Sequence, residues 1–209
     1  MNWSKMTLNE FQAALASSAP TPGGGTAAAV ALGQAAALAS MVCDLTLGKE
    51  KWEAGWAIAQ DVHEMATPMM NRAMELATED SNAFDRVMEG YAMPKNSDEE
   101  KDIRTKAIRT ATLTAAEVPF ETARLALGLL EALPHLARDG NANAVTDVGV
   151  AGLLASAAAK GALFNVDINL DGLPDDMAAS LKTQSQIVGE RTRIASRAVM
   201  DEVRARMNG

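Results

Sequence analysis

Residues 20–26, Pro-Thr-Pro-Gly-Gly-Gly-Thr, form a run whose backbone a ligand can approach directly. Pro22 and its neighbours break regular structure. Gly23, Gly24 and Gly25 carry no side chain, and free amides at a following helix start favour an anion. The run is neither a Gly-Lys-Ser/Thr phosphate loop nor a Gly-x-Gly-x-x-Gly turn after a strand. Taken alone, a tight turn and a close helix crossing account for the glycines equally well. Asp80 is the second candidate. It lies in a helical pattern of Met74, Leu76, Ala77, Ala83, Phe84 and Val87, between the acidic neighbours Glu79 and Asp85. On a solvated face it is an ordinary surface carboxylate. Facing a cleft, it would be desolvated, its pKa would rise, and it would suit proton transfer. Asn96, Asn141, Asn143, Asn165 and Asn169 all fall in expected loops. They are the neutral donors and acceptors that read a heterocycle edge, although Asn is also common in turns for local reasons.

Other chemistry finds little support. His63 stands between Asp61 and Glu64 and is expected on the surface, and His135 follows Pro134 at an expected helix boundary. Glu131 and His135 are four residues apart, but the proline disfavours a paired site and no second ligand pair exists, so no metal is expected. No Ser-His-Asp or Cys-His arrangement is present. The lone Cys43 reads as a small buried residue that cannot form an internal disulfide, which fits a reducing cytoplasm.

The elements that must position these residues read as helices. Residues 7–16 are amphipathic, with Thr7 and Glu10 as a capping box. A helix buried on all sides is expected over 26–47, ending at Gly48. A long helical region over 52–92 is expected to bend or break at Pro68. Ser97 and Glu100 form a second capping box opening a helix to Glu117, with Pro119 interrupting the path before 120–133. Residues 140–143 make a turn, and Asp147 is expected to cap a helix to Phe164. Residues 165–169 alternate like an isolated extended segment. A turn at 171–174 precedes a final helix over 175–207. No strand partner, repeat or linker is seen. The expectation is one all-α domain over 1–209, a helical bundle around a long Ala-rich central helix.

Composition narrows the function. The chain is 48% hydrophobic but only 4% aromatic, so Ala, Leu, Val and Met must fill the core. A net charge of −8 and a pI near 4.8 argue against nucleic-acid binding, since no basic cluster is long or interleaved with aromatics. Residues 26–43 hold eighteen positions without a charge, but the run is mostly Ala, with Gly33, Gln34 and Ser40 inside it and Asp44 following. That is the composition of a buried bundle helix rather than a membrane span. No signal-peptide pattern opens the sequence, so a cytoplasmic location is expected.

These features occur in a recognisable order. The motifs are Ala-Pro-Thr-Pro-Gly-Gly-Gly-Thr-Ala-Ala at 19–28, Ser-Met-Val at 40–42, Leu-Gly-Lys at 47–49 and Asp80-x-x-Ala83-Phe84. They continue with Met93-Pro94-Lys95-Asn96-Ser97-x-Glu99-Glu100-Lys101, Val118-Pro119 and Gly140-Asn141-x-Asn143. Thr146-Asp147 and Asn165-Val166-x-Ile168-Asn169 close the series. In this the chain resembles the cyclodeaminase/cyclohydrolase family, which includes the cyclodeaminase half of formiminotransferase-cyclodeaminase and methenyltetrahydrofolate cyclohydrolases. The resemblance implies an all-helical homodimer acting on a tetrahydrofolate derivative, with no cofactor, metal, nucleic-acid or membrane partner. It places the proton-transfer carboxylate on Asp80. It places the glycine loop on Gly23, Gly24 and Gly25 and a Lys-Asn loop on Lys95 and Asn96. The further expected substrate contacts are Pro22, Lys49, Asn141, Asn143, Asp147, Asn165 and Asn169. Lys49 and Lys95 are the expected partners of the anionic glutamate tail. Glu50 and Trp52 depart from the Lys and Tyr common after Gly48-Lys49, and Thr146 replaces a frequent Ser.

The implied reaction is hydrolysis of 5,10-methenyltetrahydrofolate to 10-formyltetrahydrofolate. The alternative is cyclisation of formiminotetrahydrofolate with loss of ammonia, and the more remote one a folate-binding protein without turnover. Chain length and the Leu-Gly-Lys and Pro-Lys-Asn stretches look closer to the cyclohydrolases.

Overall fold

The computed structural model describes residues 2–208, and among them there are helices and turns but no strand. Six α-helices follow one another: α1 (Leu8–Leu15), α2 (Gly24–Thr46), α3 (Trp56–Ala92), α4 (Asp98–Asp139), α5 (Val145–Asp171) and α6 (Asp175–Asn208). Short 3-10 turns cover Trp3–Lys5, Glu50–Gly55 and Ala142–Ala144. The fold is an all-α bundle. α2 packs chiefly against α3 and α5, while α4 lies across α3, α5 and α6.

Ala lets these axes approach. Ala28, Ala35, Ala36 and Ala39 of α2 face Ala66 and Ala73 of α3 and Ala151, Ala155, Ala158 and Ala162 of α5 in one apolar cluster. Leu32, Leu129, Leu130, Leu133 and Leu170 fill the gaps and are fully buried. Each contributes about 1.5–3 kcal/mol relative to exposure. A smaller cluster joins Trp3 to Ala29 of α2 and to Leu76 and Ala77 of α3. Phe11 meets the Trp3 ring edge-on at 6.2 Å. The opening residues are thereby fastened onto α2 and α3.

Several expectations need correction. α2 starts at Gly24, two residues before Thr26, because glycine accepts helical geometry once Gly23 has taken the cap position. It is not buried on all sides: Gln34, Ala37, Met41 and Leu45 leave an exposed stripe. Pro68 lies within the unbroken α3, and α4 runs through both Pro119 and Pro134, so His135 is not at a boundary. A proline in a helix interior costs about 3 kcal/mol. Leucines and alanines packed on both sides of Pro119 offset it. Residues 165–169 are helical, the last turns of α5, and not extended. There local alternation gives way to burial of Val166 and Leu170. Asp147 sits in the first turn of α5 and is not its cap.

The capping boxes of α1 and α4 are present as read, with Thr7 and Ser97 each accepting the amide three residues on. α2 and α5 are both long and apolar enough to cross a membrane, and both here pack into the bundle.

Candidate functional site

The glycine run leads into α2 with a cis bond between Thr21 and Pro22. Gly23, at the cap position, has no side chain to satisfy the first helical amides. Asp80, in the middle of α3, supplies what is missing. Its Oδ2 accepts from the Thr26 hydroxyl at 2.9 Å, and the Thr26 amide also favours its ionised form. The positive end of the α2 dipole acts in the same sense. Gly25 is obligatory for this contact, because a Cβ there would collide with the Asp80 carboxylate. The constraint is close approach and not backbone strain: among the described residues only Gly48 has a positive φ. At Gly24 a Cβ would meet only the Asn165 amide, 3.7 Å away. Of the three glycines, it is therefore Gly25 that is hostile to a side chain.

Asp80 lies in the wall of a cavity of about 270 Å³. The walls are Pro20, Thr21 and the three glycines on one side, Phe84 and Val87 one and two turns along α3, Ala115 of α4, and Asn165 and Asn169 of α5. Pro22 is buried between wall residues. Asp80 is the one ionisable group in this lining. Burial pushes its carboxyl above the ordinary aspartate value, and the Thr26 hydroxyl and amide partly oppose that rise. The two asparagines are oriented by their own amides. Asn165 Nδ2 donates to the Gly161 carbonyl at 2.8 Å. Asn169 Nδ2 donates to the Ala115 and Asn165 carbonyls at 2.9 and 2.8 Å. Asn169 spends both amide protons on backbone and Asn165 one, and each keeps a side-chain oxygen able to accept.

The structure thus brings together Asp80, Gly23, Gly24, Gly25, Asn165 and Asn169. It does not bring the other expected residues to this cavity. Lys49 follows α2 at its far end, about 30 Å from Gly25. Asn141 is at that end too, donating to the Leu45 carbonyl at 2.9 Å and accepting the Asn143 amide at 3.0 Å. Its backbone amide donates to Thr46 Oγ1 at 3.0 Å. Both ends of its side chain are occupied in tying α2 to α5. Asn143 is exposed there, and Asp147 is roughly 27 Å along α5 from Asn165.

Lys95 and Asn96 lie just past α3, roughly 20 Å from Asp80 along that helix. The Asn96 amide donates to Glu100 at 2.6 Å. Between this loop and the cavity, α3 and α4 form a groove lined by Arg86, Glu89, Gly90, Met93, Lys106 and Thr114 among others. Arg86 and Lys106 are cations that the sequence did not single out; only the antiparallel pairing of α3 and α4 places them together.

Other reactive groups stay apart. Cys43 is fully buried and its thiol is pushed up to about 12 by desolvation and by neighbouring Asp44. His63 is partly exposed and lies 3.3 Å from Asp44. His135 Nδ1 pairs with Arg138 at 2.6 Å. Among the described residues no three His, Cys, Asp or Glu side chains converge.

The profile of the family described as formiminotransferase-cyclodeaminase matches residues 7–187. The chain is 38% identical over 204 residues to the methenyltetrahydrofolate cyclohydrolase of Methylorubrum extorquens, covering 97% of this chain and 98% of that one. It is 34% identical over 169 residues to the formimidoyltransferase-cyclodeaminase of Gallus gallus, covering 81% of this chain but 31% of that larger protein. The solved formiminotetrahydrofolate cyclodeaminase of Thermotoga maritima superposes with a TM-score of 0.81 at 28% identity, over 99% of this chain and 98% of that one.

Proposed function

The chain belongs to the formiminotransferase-cyclodeaminase family, and on that premise we propose that it hydrolyses 5,10-methenyltetrahydrofolate to 10-formyltetrahydrofolate at the cavity around Asp80. The observation that carries this reading is a single desolvated carboxylate in an otherwise neutral pocket. The substrate carries a cationic amidinium bridging N5 and N10. A carboxylate facing it stabilises that charge and can accept a proton from the attacking water. Water adds to the bridging carbon and passes one proton to Asp80. Asp80 then protonates N5 as the N5–C bond breaks. The hydroxyl proton leaves to solvent as the formyl carbonyl forms, so one proton is released overall. Every step adds water, breaks the N5–C bond or moves a proton.

The walls suit the rest of the ligand. Phe84 and Val87 offer an apolar face to a pterin ring. The Asn165 and Asn169 side-chain oxygens suit its amide and amino donors. The glutamate tail leaves along the groove between α3 and α4, past Arg86 and Lys106 toward Lys95. In this reading Lys95 keeps its expected role and Lys49 gives its role to these two cations.

A second activity is favoured by the Thermotoga maritima likeness: formiminotetrahydrofolate cyclised by N10 attack, with ammonia leaving on a proton from the same carboxylate. Identity is higher to the cyclohydrolase, which supports hydrolysis as the main reaction. Assaying the purified protein with both substrates decides. Loss of the methenyl absorbance well above the buffer rate, with little ammonia from the formimino substrate, is the expected result. Ammonia release as the faster reaction would reverse the assignment.

The active species is proposed to be a homodimer in the cytoplasm, without nucleic-acid or membrane partners. Val150, Leu153, Phe164 and Ile168 form an exposed apolar stripe on α5 beside the pocket asparagines, which supports a second copy there. Cys43, reduced and buried, suits that compartment.

A further inference from the structure

Behind Asp80, on the side away from the cavity, three buried polar groups continue from its carboxylate. Thr26 Oγ1 lies 2.9 Å from Asp80 Oδ2 and 3.0 Å from Ser81 Oγ. Ser81 Oγ in turn accepts from the Trp3 indole nitrogen at 2.9 Å. Trp3, Thr26 and Ser81 are each at most 4% exposed. They come from three elements: the opening 3-10 turn, the first turn of α2 and the middle of α3.

The donor directions in this chain are fixed by chemistry. An indole N–H only donates. Each hydroxyl has one proton. The Thr26 proton goes to the carboxylate, so the proton between Ser81 and Thr26 must belong to Ser81. The order Trp3 to Ser81 to Thr26 to Asp80 is the arrangement in which every indole and hydroxyl proton of the chain has an acceptor within it. A proton placed on Oδ2 would turn the Thr26 hydroxyl toward Ser81, whose oxygen would then accept from both Thr26 and Trp3 while its own proton is left without an acceptor in the chain.

We infer that Trp3, Ser81 and Thr26 are positioning residues that favour Oδ2 of Asp80 as an acceptor, so that the proton exchanged in the reaction comes and goes on Oδ1. Oδ1 is the oxygen nearest Gly25, whose missing side chain leaves it room. The assignment rests on Asp80 as the proton-transfer group and adds which oxygen does the work and what enforces the choice.

No other ionisable group competes at this carboxylate. Neither the glycine run, α2, α4 nor α5 adds one to the cavity lining. On α3, Glu79 is held by Arg72 at 2.6 Å and Asp85 is exposed. Glu121 of α4 is held by the same Arg72 at 2.8 Å, and Asp167 of α5 accepts from Ser185 at 3.2 Å. Glu117 of α4 is exposed.

The test is the titration of Asp80 itself, followed by carbon-13 NMR of labelled aspartate carboxyls in the full-length protein and identified by the signal missing in Asp80→Asn. Thr26→Val removes the last donor at nearly constant shape. The Asp80 midpoint should rise by about one pH unit, the shift a lost hydrogen bond to a charged group produces. Trp3→Phe keeps an aromatic ring but removes the donor that polarises Ser81 and, through it, Thr26, and should raise the midpoint in the same direction by less. Thr26→Ser keeps the hydroxyl and should restore the parent midpoint. Should Trp3→Phe not fold, Ser81→Ala breaks the same chain and carries the same expectation. The acidic limb of kcat/KM should follow each midpoint while KM stays near the parent value. Unchanged midpoints in folded Thr26→Val and Trp3→Phe would overturn the inference, leaving three residues that merely pack. Activity surviving in Asp80→Asn would sink the proton-transfer reading instead, and the two failures are therefore distinct.

Discussion

At the scale of single residues, the competing demands on Asp80 generate the sharpest expectations. Asparagine keeps its size and can still accept from Thr26, but it neither exchanges a proton nor bears charge. General acid–base catalysis contributes about 10²- to 10⁴-fold, so Asp80→Asn should lower kcat by that range with KM little changed. Exposed Asp85→Asn should behave like the parent, and steady-state assays of both variants check the pair. Stability should move the other way. A carboxyl whose pKa is raised on folding binds protons more readily folded than unfolded. The parent therefore holds its full stability below the unfolded aspartate value and loses part of it as pH rises through the raised folded value. Asp80→Asn lacks that loss. Its Tm relative to the parent should rise between mildly acidic and alkaline pH, and melting curves across that range test the sign. Gly25→Ala should displace the carboxylate and remove activity, whereas Gly24→Ala should be mild, since its Cβ meets one side-chain amide at ordinary contact. The glycine run was legible because three successive glycines stand out before an apolar helix, whereas Asp80, between acidic neighbours, was singled out by its place in the motif series. Thr26 and Ser81 left fainter traces, a hydroxyl at a helix start and a hydroxyl beside the carboxylate. Trp3 left none, because a contact spanning 78 residues has no local signature.

At the scale of elements, the sequence reads well where side-chain chemistry is local and poorly where packing decides. Both capping boxes were visible because Thr7 with Glu10 and Ser97 with Glu100 interact within one turn. The prolines misled. Pro119 is buried within α4, and packing by Phe120, Ala123 and Leu127 holds the helix through the missing hydrogen bond. Asn165 to Asn169 read as extended from five residues; their helical state follows from α2 and α4 on either side, as the Asn169 bond to Ala115 shows. The core alanines leave little slack, so large-to-small changes should be costly. Leu130→Ala is expected to destabilise by ~2–5 kcal/mol, read by denaturant unfolding, with kcat preserved in the fraction that stays folded. A loss of less than about 1 kcal/mol would mean that α4 is more loosely seated than its complete burial indicates.

At the scale of the whole molecule, a net charge of −8 must be reconciled with an anionic ligand tail. Arg86 and Lys106 in the groove, partly offset by Glu89, and Lys95 in the loop beyond it supply local compensation. Lys106→Gln combined with Lys95→Gln should raise KM several-fold at low ionic strength, and the increase should shrink as added salt shortens the reach of surface charges. A KM that does not respond in either salt condition would send the tail elsewhere. The stripe on α5 bears on the same site from outside. Phe164 and Ile168 are 74% and 70% exposed and alternate along the helix with the pocket residues Asn165 and Asn169. A partner seated on that stripe would stand at the rim of the cavity. Association and occupancy are then linked by mass action: ligand that binds the pair more tightly than the single chain also draws the chains together. With the proposed homodimer as the active species, specific activity should fall on dilution at low substrate and recover as substrate approaches saturation, so that the amount of protein would set its own rate.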